Sequence, residues 1–270
     1  MRLISRLLFC LPMFGFSATR GWADAAAADI ARIHVEAIGG RDRVERLESF
    51  RAAGQSRLGE VTLDFQMWAA RPRSIRIEVM MQNQTLIQGW DGSGEAWIQG
   101  GVGGEVQPMP ENVKDRFKSE SEFDTPLVNP EERGYALEYA GEDEVGGRPV
   151  VKLLATRDFT DQSTLYLAAD TYFIVRQDRV RIAPDGSRTA TQTYYGDFRP
   201  VLGVIMPHQI SVYEGERLTS DVTLNWIEPN PPREDDLFRA PSSAADDKEV
   251  EDLKAPPAEG QSDSILELAD

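Results

Sequence analysis

The segment from Ser49 to Gln99 alternates apolar and polar residues with a period of two. Its apolar positions, before and after a turn at Arg71–Arg73, are Val61, Leu63, Phe65, Met67, Ile75, Ile77, Val79 and Met81. Successive side chains of a β-strand point to opposite faces of the sheet, so the pattern predicts an antiparallel sheet with one apolar face. Such a face needs either a covering layer or a ligand.

Short turn sequences divide most of the chain into pieces of strand length. Gly59-Glu60, Asn83-Gln84, Asp91-Gly92 and Asp185-Gly186 are examples, and Asp91-Gly92 separates two strands that carry Trp90 and Trp97. This spacing is typical of a meander and predicts about ten strands. Strands and helices do not alternate, so the fold class is mainly β with a few helices.

Three segments have helical periodicity instead. Residues 24–38 place apolar side chains three and four positions apart and end at Gly39-Gly40, which predicts a helix. Residues 41–47 predict a short helical turn. Residues 110–121 carry only a narrow apolar stripe of Val113 and Phe117, which is typical of a surface or lid helix.

The N-terminus has the pattern of a secretory signal peptide. Arg2 and Arg6 precede an apolar run, and small residues near Ala23 predict cleavage after that residue. The run is too short for a membrane-spanning helix, so we expect an exported, periplasmic protein without a transmembrane segment in the mature chain. Cys10, the single cysteine, lies inside the signal, which leaves no disulfide in the mature chain. We therefore divide the chain into a signal peptide (1–23), one domain (24–241) and a tail (242–270).

The charge argues against two classes of partner. The net charge is −16, and loss of the three arginines of the signal brings it to −19. Nucleic acids and anionic membranes bind clustered Lys and Arg, so neither is expected as a partner. Much of the excess lies in the tail, whose acidic, proline-containing composition predicts disorder.

No motif in the chain indicates catalysis. His34 and His208 are the only histidines, and no Gly-x-Ser-x-Gly elbow accompanies them. The mature chain lacks cysteine, His-x-x-x-His and EF-hand spacing, so neither a metal nor another cofactor is expected. The glycine cluster at 100–104 lacks the Gly-Lys-Ser/Thr of a phosphate loop and predicts a turn. We expect a protein that is not an enzyme.

The order of several motifs resembles the LolA-like superfamily, and in particular its uncharacterised outer membrane lipoprotein-sorting group. The matching stretches, from about Ala31 to Pro241, are Ile38–Gly54, Asp91–Trp97, Leu165–Arg176, Tyr195–Pro207 and Leu237–Pro241. The resemblance implies a strongly curved antiparallel sheet that forms an unclosed β-barrel, with helices on its concave side. It also implies that a lipid or acyl chain binds between the sheet and the helices, while no ligand residues can be carried over individually.

Two functions follow from these observations. The first is a periplasmic carrier of a lipid or lipidated protein, whose ligand-binding residues would be Phe65, Met67, Ile75, Ile77, Val79, Trp97, Val113 and Phe117. Trp97 could instead belong to the core, and the same apolar set could be plain core. The alternative is an envelope regulatory or scaffold module that closes this face with its own helices and binds a protein partner through the sheet edge or the acidic tail.

Overall fold

The computed structural model describes residues 20–81, 84–157, 161–182 and 188–241. Nearly all of the predicted signal peptide, the Asp185-Gly186 turn and the predicted tail lie outside these residues. Three helices occur in the described part, α1 (Arg20–Ala37), α2 (Arg41–Arg46) and α3 (Glu111–Glu120). They match the three helical segments of the sequence analysis to within a few residues at each end.

A single antiparallel sheet makes up most of the described chain. Its thirteen strands are β1 (Ser49–Leu58), β2 (Val61–Ala70), β3 (Ser74–Met81), β4 (Gln84–Trp90), β5 (Trp97–Gly100), β6 (Val106–Pro108), β7 (Ala136–Val145), β8 (Arg148–Thr156), β9 (Gln162–Ala168), β10 (Ile174–Ile182), β11 (Arg188–Val201), β12 (Val204–Glu214) and β13 (Arg217–Pro229). The sheet is not closed into a barrel, because β6 and β7 are its two edges. The fold class predicted from the sequence is thus confirmed. The strand count exceeds ten partly because the three-residue β6 is too short to show alternation.

One non-sequential pairing joins two meanders into this sheet. Strands β1–β6 pair in chain order, strands β7–β13 do the same, and β13 then pairs with β1. The register shifts between Ala53 and Gly54, where the two backbones approach closely. A Cβ atom at Gly54 would lie 2.1 Å from the carbonyl oxygen of Thr223, so only glycine fits there.

All three helices pack on one face of the sheet, which we call the inner face. On β8 and β9, Leu153 and Leu165 are fully buried in a cluster with Ala27 and Ala31 of α1. Val44 of α2 packs in a cluster near the start of β12. Phe117 of α3 packs against the cluster around β3 to β5. The helices therefore follow the sheet from one half to the other.

Contacts of α3 show that the sheet curves strongly. Phe117 packs against a cluster that contains Ile75 of β3, while Ser119 accepts a hydrogen bond from Arg179 of β10. These strands are six steps apart in the sheet, which is about 29 Å in a flat sheet. A helix with its side chains is only about 10–12 Å across, so the sheet must bend around α3 for one helix to contact both strands.

Both histidines are buried side chains that bond to the backbone. His34 of α1 is 3 % exposed, and its Nδ1 lies 2.8 Å from the carbonyl oxygen of Tyr172. Burial lowers the pKa of His34, and the hydrogen bond to Tyr172 offsets only part of this effect. His208 is 4 % exposed, with Nδ1 3.1 Å from the carbonyl oxygen of Met206. Both contacts are structural ones.

Replacing Gly54 tests the join between the two meanders. We expect Gly54→Ala to lower the free energy of unfolding by at least about 2 kcal/mol, because the methyl group must displace the β13 backbone. The matched control is Gly196→Ala in β11, where the nearest heavy atom, Oε1 of Gln209, is 3.7 Å away. Urea unfolding of both variants gives the comparison. Equal stability of the two variants would contradict the close approach at Gly54.

His34 should make stability depend on pH. Its lowered pKa means that the unfolded chain binds the proton more tightly, so stability is full above about pH 6.5 and falls as the pH drops below it. Between pH 6.5 and 5.5 we expect wild type to lose more free energy of unfolding than His34→Asn, which keeps a donor near Tyr172 but does not titrate. Unfolding at the two pH values measures this, and parallel losses in both proteins would refute it.

Candidate functional site

Five of the residues predicted to bind a ligand lie side by side on the inner face. Strands β2 and β3 pair Phe65 with Val79 and Met67 with Ile77, and Ile75 pairs with Ala69 on the same face. Phe65 and Ile75 are buried, whereas Met67, Ile77 and Val79 are half-buried. We call these five residues the apolar wall. It extends across β1 to Leu224 and Val222 of β13.

Helix α3 lies against this wall, but it is held mainly by polar contacts rather than by buried side chains. Phe117 contacts the cluster of the wall, while Val113 is 37 % exposed and belongs to none of the described core clusters. The described side chains of α3 include none that is fully buried. Lys114 reaches Glu95 at 3.5 Å, and Lys118 donates to the carbonyl oxygen of Gly94 at 3.1 Å. A helix of ten residues with so little buried surface depends on these few contacts to stay folded.

Trp97 lies on the opposite face of the sheet from the apolar wall. It pairs with Gly89, which pairs with Arg76, and directly opposed residues share a face. Its ring fills the space over Gly89, where a Cβ atom would lie 2.3 Å from the indole. Its Nε1 donates to the carbonyl oxygen of Phe238 at 3.0 Å. Trp97 therefore anchors the C-terminal segment on the outer face, away from the other predicted ligand residues.

Two cavities border this C-terminal segment. One of about 440 Å³ is lined by Trp68, Arg76, Glu78 and six residues of the C-terminal segment, namely Glu234, Asp236, Leu237, Arg239, Ala240 and Pro241. The other, of about 290 Å³, lies where β2 and β4 end and is lined in part by Arg71, Asp91 and Arg239. Both linings are rich in charged side chains, which is unlike the apolar wall.

A charged network holds the connection between α3 and β7 in place. Glu122 accepts hydrogen bonds from Arg133 at 2.8 Å and from Arg157 at 2.9 Å, and Arg73 lies 4.0 Å away. Burial works to raise the pKa of the Glu122 carboxyl, but the hydrogen bonds from the two arginines outweigh it and leave the pKa below its usual value. Next to this network, Leu127 and Val128 enter two different core clusters. The connection thus forms the fixed part of the cover.

The inner face also carries polar side chains that the sequence analysis missed. Gln177 and Arg179 of β10 lie on the same face as Leu165 and Ser163 of β9, which are their direct partners. Tyr195 of β11 packs beside the same core and donates from its hydroxyl group to Oε1 of Gln177 at 3.0 Å. Burial raises the pKa of Tyr195 to about 12, yet its side chain keeps some accessible surface. The two strands thus place polar side chains on the inner face, beside the core.

The register of the strands shows that these polar residues face inward. Val180 of β10 is exposed, while its neighbour Arg179 points inward, which reverses the usual order of apolar and polar positions. Composition and periodicity alone do not show which parity faces the core. In the described residues, no group of three His, Cys, Asp or Glu side chains is arranged to hold a metal ion.

Comparison with solved structures identifies the fold as LolA-like. The chain is similar to a domain named for outer membrane lipoprotein sorting from Vibrio parahaemolyticus, with a TM-score of 0.56, 10 % identity, and coverage of 80 % of this chain and 97 % of that one. A LolA superfamily protein from Nitrosomonas europaea matches with a TM-score of 0.52, 11 % identity, and coverage of 79 % and 98 %. A DUF1329 family protein from Desulfovibrio piger matches with a TM-score of 0.53, 13 % identity, and coverage of 80 % and 97 %.

Sequence comparison alone gives no match, either to a family model or to a curated protein. The structural matches cover most of the described chain, so the resemblance inferred from the motifs is confirmed at the level of the fold. In the part of the chain that the structure describes, no helix is both long enough and apolar enough to cross a membrane.

Proposed function

We propose that this protein is a non-catalytic periplasmic carrier that binds a lipid, or the acyl chains of a lipoprotein, between the inner face and α3. The observation that carries the proposal is the apolar wall itself. Met67, Ile77 and Val79 are adjacent and only half-buried, although Met67 and Ile77 pack against the same cluster as Phe117 of α3. Apolar side chains with remaining accessible surface on a concave face are what an acyl chain requires.

Burial of an acyl chain would provide enough free energy for binding. Each methylene group removed from water contributes about 0.8 kcal/mol, before the costs of ordering the chain and of losing its translational freedom. A chain of sixteen carbons therefore needs no covalent bond or metal to remain bound. The polar and weakly buried α3 is the part of the cover that could move aside at the least cost, because displacing it exposes little apolar surface.

Other observations support the proposed compartment and the proposed absence of catalysis. The sequence begins with the pattern of an export signal, and the solved structures that share the fold include a domain named for outer membrane lipoprotein sorting. Both histidines contact backbone carbonyl groups from buried positions, so neither is placed to act on a ligand at the apolar wall.

Bound lipid should be detectable directly. The full-length precursor is expressed with export, and the protein is purified from the periplasm without detergent, extracted with organic solvent and analysed by mass spectrometry. We expect acyl lipids in a reproducible ratio to protein. The stripped protein should bind the uncharged apolar probe N-phenyl-1-naphthylamine. If the extract contains no lipid and the probe does not bind, the carrier proposal fails and a scaffold role is favoured.

Filling the apolar wall should block binding. We expect Val79→Trp to weaken probe binding about tenfold or more, because the indole occupies space along the wall. Met80→Trp is the matched control, since Met80 is the next residue of β3, faces the other side of the sheet and is 45 % exposed. Fluorescence titration compares the two variants with wild type. Equal weakening in both would place the binding surface elsewhere.

A further inference from the structure

The polar groups on the inner face have hydrogen-bonding capacity that the described protein does not use. We call Gln177, Arg179 and Tyr195 the inner polar patch. The Nε atom of Arg179 and the Nε2 atom of Gln177 are both buried and lack a hydrogen-bond partner. A buried donor without a partner costs about 1–3 kcal/mol. Unused donors are therefore retained here at a cost to stability, which is expected where a ligand supplies the acceptor.

Tyr195 fixes which end of the Gln177 amide is unused. The Tyr195 hydroxyl group donates to Oε1 of Gln177 at 3.0 Å, so this oxygen is the bonded end and the NH₂ group is the free one. The phenol stays protonated, because burial raises its pKa to about 12, with a smaller contribution from Glu120 of α3. The patch therefore presents N–H donors and a cationic guanidinium group.

Arg179 also forms no ion pair with a described carboxylate. Its Nη1 donates to the hydroxyl oxygen of Ser119 at 3.1 Å, which is a neutral partner. Three other half-buried arginines differ, since Arg71, Arg133 and Arg176 each form an ion pair shorter than 3 Å. Within the described ranges, Arg179 has no carboxylate oxygen within 4 Å. A half-buried cation with a single neutral partner favours binding of an anion.

Helix α3 contacts the cluster of the apolar wall with one side and the inner polar patch with the other. Phe117 and Ser119 are two residues apart, which is about 200° around the helix, and they contact the wall side and the patch side respectively. A molecule that displaces or tilts α3 therefore meets apolar side chains of β2 and β3 on one side and the donors of β10 and β11 on the other. Such a surface is suited to an amphiphile.

From these contacts we infer that the ligand is an anionic amphiphile, whose carboxylate or phosphate head binds Arg179 and Gln177 while its chain lies on the apolar wall. This inference rests on the proposed carrier function and adds the chemical class of the ligand. The head group would take over the bond that Ser119 now makes with Arg179 and would supply an acceptor to the two unused donors. Ser119 is then the contact by which α3 covers the patch when no head group is bound.

The test compares ligands that share a chain and differ in charge. Wild-type protein, purified from the periplasm and stripped of lipid, is titrated with palmitate, methyl palmitate and 1-palmitoyl lysophosphatidate, each displacing N-phenyl-1-naphthylamine. We expect one or both anionic ligands to bind about ten- to a hundredfold more tightly than the methyl ester. A preference for palmitate assigns the head as a carboxylate, and a preference for lysophosphatidate assigns it as a phosphate.

Arg179→Met should remove this preference, because it should weaken binding of the anions much more than binding of the methyl ester. The matched control is Arg57→Met, because Arg57 lies on the outer face of the same sheet and pairs with Asp221 in solvent. Gln177→Met, which removes the second unused donor but keeps the charge, should reduce the preference by a smaller factor. Thermal unfolding and binding of the neutral probe show whether each variant is folded.

The outcomes separate the inference from the function on which it rests. If wild type binds the methyl ester as tightly as both anions, the anionic class is wrong, although the carrier function stands. The assignment of the head group to the inner polar patch is wrong if Arg179→Met and Gln177→Met, both folded, keep the full preference. If wild type binds none of the three ligands and not the neutral probe, the carrier function itself is wrong.

Discussion

The pairing of β1 with β13 is the constraint on which the rest of the structure depends. Each meander alone would leave an additional unpaired edge, and neither would provide a concave face. Joined, they form a sheet long enough to bend around α3, so that strands six steps apart contact the same helix. The close approach at Gly54 shows how tightly the two backbones are held at this join. The site therefore exists only when both halves of the chain are folded together.

The cover over the inner face has two parts with different stability. The connection after α3 is fixed by Glu122 and its arginine partners and by Leu127 and Val128 in the core. Helix α3 has no such anchors beyond Phe117 and a few polar contacts along its edge. Opening energies differ across a protein according to how much apolar contact each region makes. In a carrier this difference is useful, since cargo can exchange under α3 without unfolding the sheet.

The sequence predicts the alternation within strands, the turns and the helices of this fold, but it does not predict which residues of neighbouring strands pair with each other. Alternation in β2 and β3 is sufficient to place Phe65, Met67, Ile75, Ile77 and Val79 on one face, and the structure confirms that they share it. Trp97 follows a loop of six residues. Alternation holds only within a strand, so it does not predict on which face of the sheet Trp97 lies after this loop. The inward position of Arg179 is not predicted for a related reason. Where an arginine and a valine are neighbours in a strand, alternation predicts that the arginine faces solvent, whereas here Val180 is the exposed residue.

Trp97 and Arg179 lie on faces of the sheet that the alternation of residues does not predict. Trp97, an aromatic residue, anchors the outer face, while Arg179 and Gln177 occupy inner positions where apolar residues would stabilise the sheet more. Leucine and methionine in place of Arg179 and Gln177 would make this part of the inner face an ordinary apolar core. These positions would then offer no polar group to orient a ligand on the apolar wall. Apolar contact alone can hold an acyl chain but sets no direction along the sheet. A cation at one side of α3 would set that direction, because hydrogen bonds from Arg179 and Gln177 would offset the desolvation of the charged end of an amphiphile.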